Sequence, residues 1–454
     1  MKVCLISLGC DKNLADSEIM ISILQEHGHV MVELEKDAEA IIINSCCFIN
    51  DAKEESINTI LECGRLKEDN LKFLIVAGCL SQRYREEIQE AIPEVDAIMG
   101  TGAYADIATV LHELESGSVE QENTADMETK KLVCFREPDY LPELKVKRGH
   151  FTGTAYAYLK IAEGCDKHCT YCVIPSIRGP FRSISMERIL EEAGELAHKG
   201  VKELILVAQE ITLYGVDRYG EKMLPKLLKE LCKIEGPEWI RLMYCYPEEI
   251  TDELISVIKE EKKIVKYLDM PVQHASDDVL RRMGRRTSQK ELREQIAKLR
   301  KEIPKIVLRT SLITGFPGET EQDFEELCDF VREIKFDRLG VFTYSKEEGT
   351  PAAKFKSQIT QRVKKQRRDH IMRIQQEIAF ERARDRIGTV LDVQIEGVIP
   401  EDEIYVARGY MDAPNVDGYV FVKGTRGKLS GSIIPVRVIG AKGYDLIAEE
   451  IISE

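Results

Sequence analysis

No stretch of the 454 residues is apolar for long enough to span a bilayer, and none looks like a signal peptide's apolar core followed by a cleavage site. The N-terminus, MKVCLISLGC, runs straight into a strand-like segment, with Asp11 and Lys12 close behind. These features argue against a membrane protein or a membrane partner and set the expectation of a cytoplasmic one. Cysteine is missing from residues 329–454, although the chain holds 13 of them. A mere apolar filler would not be so confined. In a reducing compartment clustered thiols read as metal ligands or catalysts rather than disulfides. An excess of positive charge is missing too, since 64 Lys and Arg face 79 Asp and Glu, a net −15. Nucleic-acid binders usually carry a basic footprint, so the balance favours a small or basic partner while leaving room for a local basic patch.

What is present describes an ordinary globular chain. Its length suits roughly three domains of about 150 residues, and 43% hydrophobic against 31% charged residues leaves material for real cores. In residues 1–117, VCLISL, AIIIN, FLIVA and AIMG read as buried strands. They alternate with helical patterns near Leu14–His27, Asp51–Leu66, Gln82–Ile92 and Tyr104–Leu114, the signature of a parallel α/β sheet. Residues 118–152, introduced by the polar SGSVEQENTADMETKK, read as a linker. A second α/β run over 153–386 offers six strands, AYLKIA, ELILVA, WIRLMY, KYLDMP, IVLRTSLI and LGVFTYS, and suits a partial β/α barrel. Its last helix, near Gln361–Arg386, carries nine basic and four acidic residues. In residues 387–454, VLDVQIEGV, YVARGY, YVFVKG and IIPVRVIG read as strands of a small β-barrel.

The cysteines fall into two sets. Cys10, Cys46 and Cys79 each lie just past the carboxyl end of an expected parallel strand, the edge at which α/β sheets bind ligands. They read as a convergent three-thiolate site, against the alternative of three small buried residues. Cys47 is a rival for Cys46. The second set is GCDKHCTYC, where Cys165, Cys169 and Cys172 follow the first barrel strand with C-x3-C-x2-C spacing. A structural zinc site normally closes with four ligands. His168 is available as a fourth, but its place between two ligands points it elsewhere. A four-iron, four-sulfur cluster on three thiolates keeps one iron open, as a catalytic metal site keeps one position for substrate.

The motif C-x3-C-x-aromatic-C, with Tyr171 as the aromatic, resembles the signature of the radical S-adenosylmethionine superfamily. That resemblance implies an open iron chelated by the amino and carboxylate groups of S-adenosylmethionine. Its reductive cleavage yields a 5′-deoxyadenosyl radical that abstracts a hydrogen atom. SLGCDKNLADSE, NSCCFINDAKEES and the AGC around Cys79 resemble the N-terminal domain of the methylthiotransferases, GCDKHCTYCVIPSIRGPFRS their central domain, and the tail their OB-like TRAM barrel. The likeness implies two 4Fe-4S clusters. Cys165, Cys169 and Cys172 would hold one, and Cys10, Cys46 and Cys79 would hold an auxiliary cluster carrying the sulfur to be transferred. The family usually has glycine where this chain has Cys47, so the choice between Cys46 and Cys47 stays open.

Weaker candidates follow other strands. Gln209 in VAQEITLYG, Gln273 beside His274 in MPVQHAS, and Gly315 and Gly318 in SLITGFPGE are candidate cofactor contacts, with turn and loop capping as the alternative. Arg178 and Arg182 face either a carboxylate substrate or solvent.

Two branches of the family differ in acceptor: a tRNA adenosine, or the β-carbon of an aspartate in the twelfth small-subunit ribosomal protein. ARGYMDAPNVDGYVFV looks like the TRAM pattern of the second branch. Six basic against eleven acidic residues from Gly388 onward give the tail a net charge of −5, suited to a basic protein loop. An aspartate C–H bond beside a carboxylate has no useful acidity, so radical abstraction replaces general-base removal. The expected partners are that ribosomal protein, free or on the assembled subunit, and a flavodoxin- or ferredoxin-type electron donor. The competing readings are a tRNA adenosine methylthiotransferase and a zinc-dependent ribosome- or RNA-binding module.

Overall fold

The computed structural model of the chain describes residues 1–117, 131–142, 155–401, 403–423 and 427–451. Most of the stretch read as a linker, 118–130 and 143–152, lies outside the described residues. The chain divides into two compact units. The first comprises residues 1–151, 163–167 and 172–184, and the second 152–162, 168–171 and 185–454.

The first unit is built on six parallel strands: β1 (Lys2–Ser7), β2 (Val30–Met31), β3 (Ala40–Ser45), β4 (Phe73–Gly78), β5 (Ala97–Met99) and β6 (Leu132–Cys134), in the order β2-β1-β3-β4-β5-β6. AIIINS of β3 is buried at every position, as a strand with helices on both faces must be. The short strands β2 and β6 were not foreseen. β6 lies inside the stretch read as a linker and adds parallel to β5. The expected helix near Gln82–Ile92 is two, Cys79–Arg83 and Arg85–Ala91, with Tyr84 between them out of helical conformation. The strand order reverses direction between β1 and β3, which makes their carboxyl ends the switch point where open α/β sheets place ligands.

The second unit carries six parallel strands in sequential order: β7 (Tyr156–Lys160), β8 (Glu203–Val207), β9 (Trp239–Leu242), β10 (Ile264–Asp269), β11 (Val307–Thr314) and β12 (Arg338–Thr343). The sheet stays open, with β7 and β12 at its edges, as a partial β/α barrel requires. Crossover helices are set by local chemistry. Ser288 with Glu291 and Thr320 with Asp323 form capping boxes that start helices Gln289–Glu302 and Glu321–Ile334. Leu292, Ile296 and Leu299, spaced along one face, bury the first of these on the sheet.

The tail closes into a barrel of β13 (Val390–Ile399), β14 (Ile404–Gly409), β15 (Val420–Lys423), β16 (Ile433–Lys442) and β17 (Asp445–Glu450). The sequence reading found four of these strands and missed β17, whose DLIAEE sets three apolar residues among three acids. Its Leu446 and Ala448 still point inward, and it pairs parallel to β15 and antiparallel to β16. The loop between β14 and β15 reaches the six-stranded sheet. Tyr410 accepts from Arg241 Nη1 (2.8 Å), Asp412 pairs with Arg338, Asn415 Nδ2 donates to Tyr156 Oη (3.0 Å), and Asp417 accepts from Tyr267 Oη (2.7 Å). Tyr156 and Arg338 are the first residues of β7 and β12, so this loop packs at the amino-terminal end of the sheet, the end that serves stability in β/α barrels.

Candidate active site

Registers in the first unit line up the cysteine-bearing ends. Ser7 is level with Asn44, Asn44 with Ala77, and Ser45 with Gly78. The chain then turns into Cys10, Cys46 and Cys79 from three adjacent strands. Two glycines make the turns possible. Gly9 has φ +86, and a Cβ there would lie 2.5 Å from Cys46 Cβ and 2.7 Å from its sulfur. Gly78 has φ +93, and a Cβ there would meet Asn44 Oδ1 at 2.4 Å and Ser45 O at 2.5 Å. Glycine directly before a cysteine is thus a device for bringing thiols close together. It was visible as LGC and AGC but was not singled out as such.

Buried polar side chains brace these turns. Asn13 Nδ2 donates to Leu8 O (2.9 Å) and Ser45 O (3.0 Å), Asn44 Nδ2 donates to Asn13 O (2.9 Å), and Ser56 Oγ both accepts from Cys46 N and donates to Cys46 O. Cys46 lies within electrostatic reach of Cys10, and Cys79 within reach of both. Burial pushes the Cys79 thiol up to about 12, against the pull of the Arg178 guanidinium, and burial also raises Cys46. Thiols so desolvated stay protonated until a cation takes the proton's place, the coupling expected of thiolate metal sites. Cys47 turns the other way. It is fully buried in the apolar cluster with Ile43, Leu74 and Val76, donates to Cys79 O at 3.1 Å, and is pushed up to about 12 by burial.

Arg178 meets neither a substrate nor solvent, which corrects the expectation. Its side chain is 2% exposed, and Nη1 donates to Asp16 Oδ2 and Glu163 Oε2, each at 3.0 Å. Nη2 donates to Asn13 Oδ1. A guanidinium this deep needs paired acceptors, and it finds two carboxylates from distant parts of the sequence. Arg182 donates to Pro180 O and Arg178 O.

Of the second cysteine set, Cys165 and Cys172 belong to the first unit and Cys169 to the second. In the first unit Cys165 N donates to Gly179 O (3.2 Å), and Ile174 N lies 3.5 Å from Cys172 Sγ, placed to donate to it. In the second, Thr170 is threaded between Met283 O, Arg282 O and Ala352 N. His168, at φ +50, is exposed, as its position between two cysteines suggested. Tyr171 packs edge-on against Phe316.

The carboxyl ends of the second unit's strands hold the weaker candidates. Gln209 follows β8, and Gln273 sits after β10 in a left-handed conformation at φ +69. Tyr244, after β9, is also left-handed at φ +62. Such strain in non-glycine residues concentrates at functional edges. His274 is buried, accepts from Ser276 N through Nδ1, and turns Nε2 toward Glu319. Gly315 and Gly318 make room for protein side chains, because a Cβ would strike Lys364 and Arg282 respectively. The residue that shapes this loop is Glu319. Its carboxylate accepts from Gly315 N (2.7 Å) and Phe316 N (3.1 Å) and pairs with Arg367 (2.7 Å). Arg285 was also unforeseen. It is buried over the Tyr246 ring at 4.2 Å, with Nε and Nη1 unpartnered and Cys169 within electrostatic reach.

Among the described residues no three His, Cys, Asp or Glu side chains are drawn in closely enough to hold a single metal ion. Ligands of one zinc each sit about 2.3 Å from it.

Residues 159–331 match the radical SAM superfamily, 2–100 the uncharacterized protein family UPF0004, and 387–451 the TRAM domain. The radical S-adenosylmethionine methyltransferase TsrM from Kitasatospora setae shares the fold at TM-score 0.54 and 13% identity, over 75% of this chain and 72% of that one. The cobalamin-dependent radical enzyme OxsB does so at 0.53 and 14%, over 78% and 54%. Fold and motif together define a radical S-adenosylmethionine protein with a TRAM barrel. The ribosomal protein uS12 methylthiotransferase RimO of Lachnoclostridium phytofermentans is 58% identical over 98% of this chain and 99% of its own length. That of Acetivibrio thermocellus is 50% identical over 99% and 98%. The chain belongs to the RimO family.

Proposed function

We propose that this protein is a radical S-adenosylmethionine methylthiotransferase that adds a methylthio group to the β-carbon of an aspartate in the small-subunit ribosomal protein uS12. The observation that carries the reading is the grouping of Cys10, Cys46 and Cys79 at the switch point of the first sheet, in a chain that also bears the C-x3-C-x2-C motif. Cys165, Cys169 and Cys172 would hold one 4Fe-4S cluster and Cys10, Cys46 and Cys79 the other. When bound, the clusters and S-adenosylmethionine supply the radical, the sulfur and the methyl group.

The chain's own residues hold and orient. Glu319 fixes the backbone of the Gly315–Gly318 loop, and Gln209 and Gln273 stand past the carboxyl ends of β8 and β10 as candidate cofactor contacts. Cys46 is favoured over Cys47, because Cys46 lies against the Cys10 turn and Cys47 lies in the apolar core. Among the described residues no helix is long and apolar enough to cross a membrane; an acceptor that is a ribosomal protein would be met in the cytoplasm. A flavodoxin- or ferredoxin-type donor would supply electrons, and the acceptor would be met free or on the assembled subunit.

A local basic patch for RNA would fall on the helix Gln361–Arg384. Two of its cations are buried inward, Lys364 on Tyr344 O and Arg367 on Glu319, while Arg368 and Arg382 pair with Asp369 and Asp337 nearer the surface. Mass spectrometry of uS12 from cells with and without the gene tests the proposal. A methylthio mass on one aspartate peptide, present only with the gene, is expected. Unmodified uS12 in both samples, with both clusters loaded, would overturn the acceptor.

A further inference from the structure

Arg178 follows Cys172 by six residues, yet its guanidinium lies among the other three cysteines. Asn13 Oδ1 accepts from Arg178 Nη2 and itself lies 4.0 Å from Cys79 Sγ. The guanidinium is thereby within electrostatic reach of Cys79, Cys10 and Cys46. On the far side stand Asp16 and Glu163, both almost fully buried. The helix Ile174–Arg178 that delivers it is anchored in the core of the first unit by Val173 and Ile177. A guanidinium so tethered has little freedom to turn away from the sulfurs.

Resting on the reading that Cys10, Cys46 and Cys79 hold the auxiliary cluster, we infer that Arg178 is a positioning residue for that cluster, holding a fixed positive charge beside it and setting the cluster's reduction potential with Asp16 and Glu163 as counterweights. Hydrogen bonds and charge around the sulfurs are the protein's levers on such potentials. One-electron reduction adds a negative charge to the cluster, so a fixed cation beside it favours the reduced form. A nearby carboxylate opposes it. Arg178→Gln therefore lowers the potential, Glu163→Gln raises it, and Arg178→Lys, which keeps the charge, stays near the parent.

The test uses full-length protein carrying Cys165→Ala, Cys169→Ala and Cys172→Ala, so that only the auxiliary cluster remains. After anaerobic reconstitution, iron and sulfide are counted and the potential is read by dithionite titration with electron paramagnetic resonance. The expected shift for Arg178→Gln is at least tenfold in the reduction equilibrium, about 59 mV for one electron. An unchanged potential in a fully loaded Arg178→Gln variant would overturn the inference. If that variant loads poorly, Glu163→Gln decides: a raised potential supports the inference and an unchanged one overturns it. A triple-alanine parent that binds no iron overturns the ligand assignment and the inference with it, whereas a loaded parent indifferent to both substitutions overturns the inference alone.

Discussion

Arg408 and Glu203 lie 205 positions apart in sequence and meet inside the second unit, with neither side chain reaching solvent. Glu203 also accepts from Arg241 Nε at 2.6 Å, and Arg408 goes on to Glu396, Gln394 and the Asp412 carbonyl. One carboxylate thus joins a barrel strand to the TRAM barrel through two guanidiniums.

This arrangement makes stability depend on acid in a defined direction. Burial alone would raise the Glu203 carboxyl, but Arg241 and Arg408 outweigh it and hold the group below the usual carboxylate range. Its contribution is therefore full above the unfolded value near 4.3 and is lost as pH falls through the lower folded value. Glu203→Gln strands two buried cations and is expected to cost about 3–5 kcal/mol at pH 7. In denaturant titrations the difference between parent and variant shrinks in acid. A difference independent of pH would contradict the assignment.

Cys46→Ala should remove the iron of one cluster, while Cys47→Ala should leave the iron count unchanged. The second substitution costs on the order of 1 kcal/mol, like the loss of one buried methyl. Iron and sulfide analysis after reconstitution checks both, and the reverse pattern would exchange the roles of the two residues.

Gly78→Ala forces a side chain into a glycine-only conformation and against Asn44 and Ser45. A penalty of about 1–3 kcal/mol follows from the backbone alone. The variant should melt earlier than the parent and take up less iron at the auxiliary site. Normal melting and loading would show that the turn before Cys79 tolerates movement.

Glu319→Gln keeps the size of the side chain but loses the charge that pairs with Arg367 and attracts two backbone N–H groups. The Gly315–Gly318 loop then loosens, and the KM for S-adenosylmethionine is expected to rise about tenfold, equivalent to one lost charged hydrogen bond. Steady-state kinetics at saturating acceptor would show it. A change confined to kcat would place Glu319 in the chemistry instead.

Much of the fold was legible because its strands are continuous apolar runs separated by amphipathic helices, as AIIIN and ELILVA illustrate. Short or polar strands escaped. Val30–Met31 has two residues, and DLIAEE hides its inward Leu446 and Ala448 among acids. The cysteine positions could be read from strand ends. Arg178, Glu319 and Arg285 could not, because a charged residue in a sequence looks solvated until a distant partner is known. The acidic tail shows the same blindness: Asp412 and Asp417 counted toward a docking charge, yet both are spent inside on Arg338, Arg309 and Tyr267.

That inward use of the tail bears on how the molecule is made. The six-stranded sheet of the second unit begins at Tyr156, but Arg241, Arg309 and Arg338 each gain an acceptor only when residues 410–417 arrive. During synthesis these inner cations stay hydrated until residues 410–417 have left the ribosome. Completion of the sheet's charged interior is thereby tied to the emergence of the TRAM loop, more than 250 residues after the sheet's first strand.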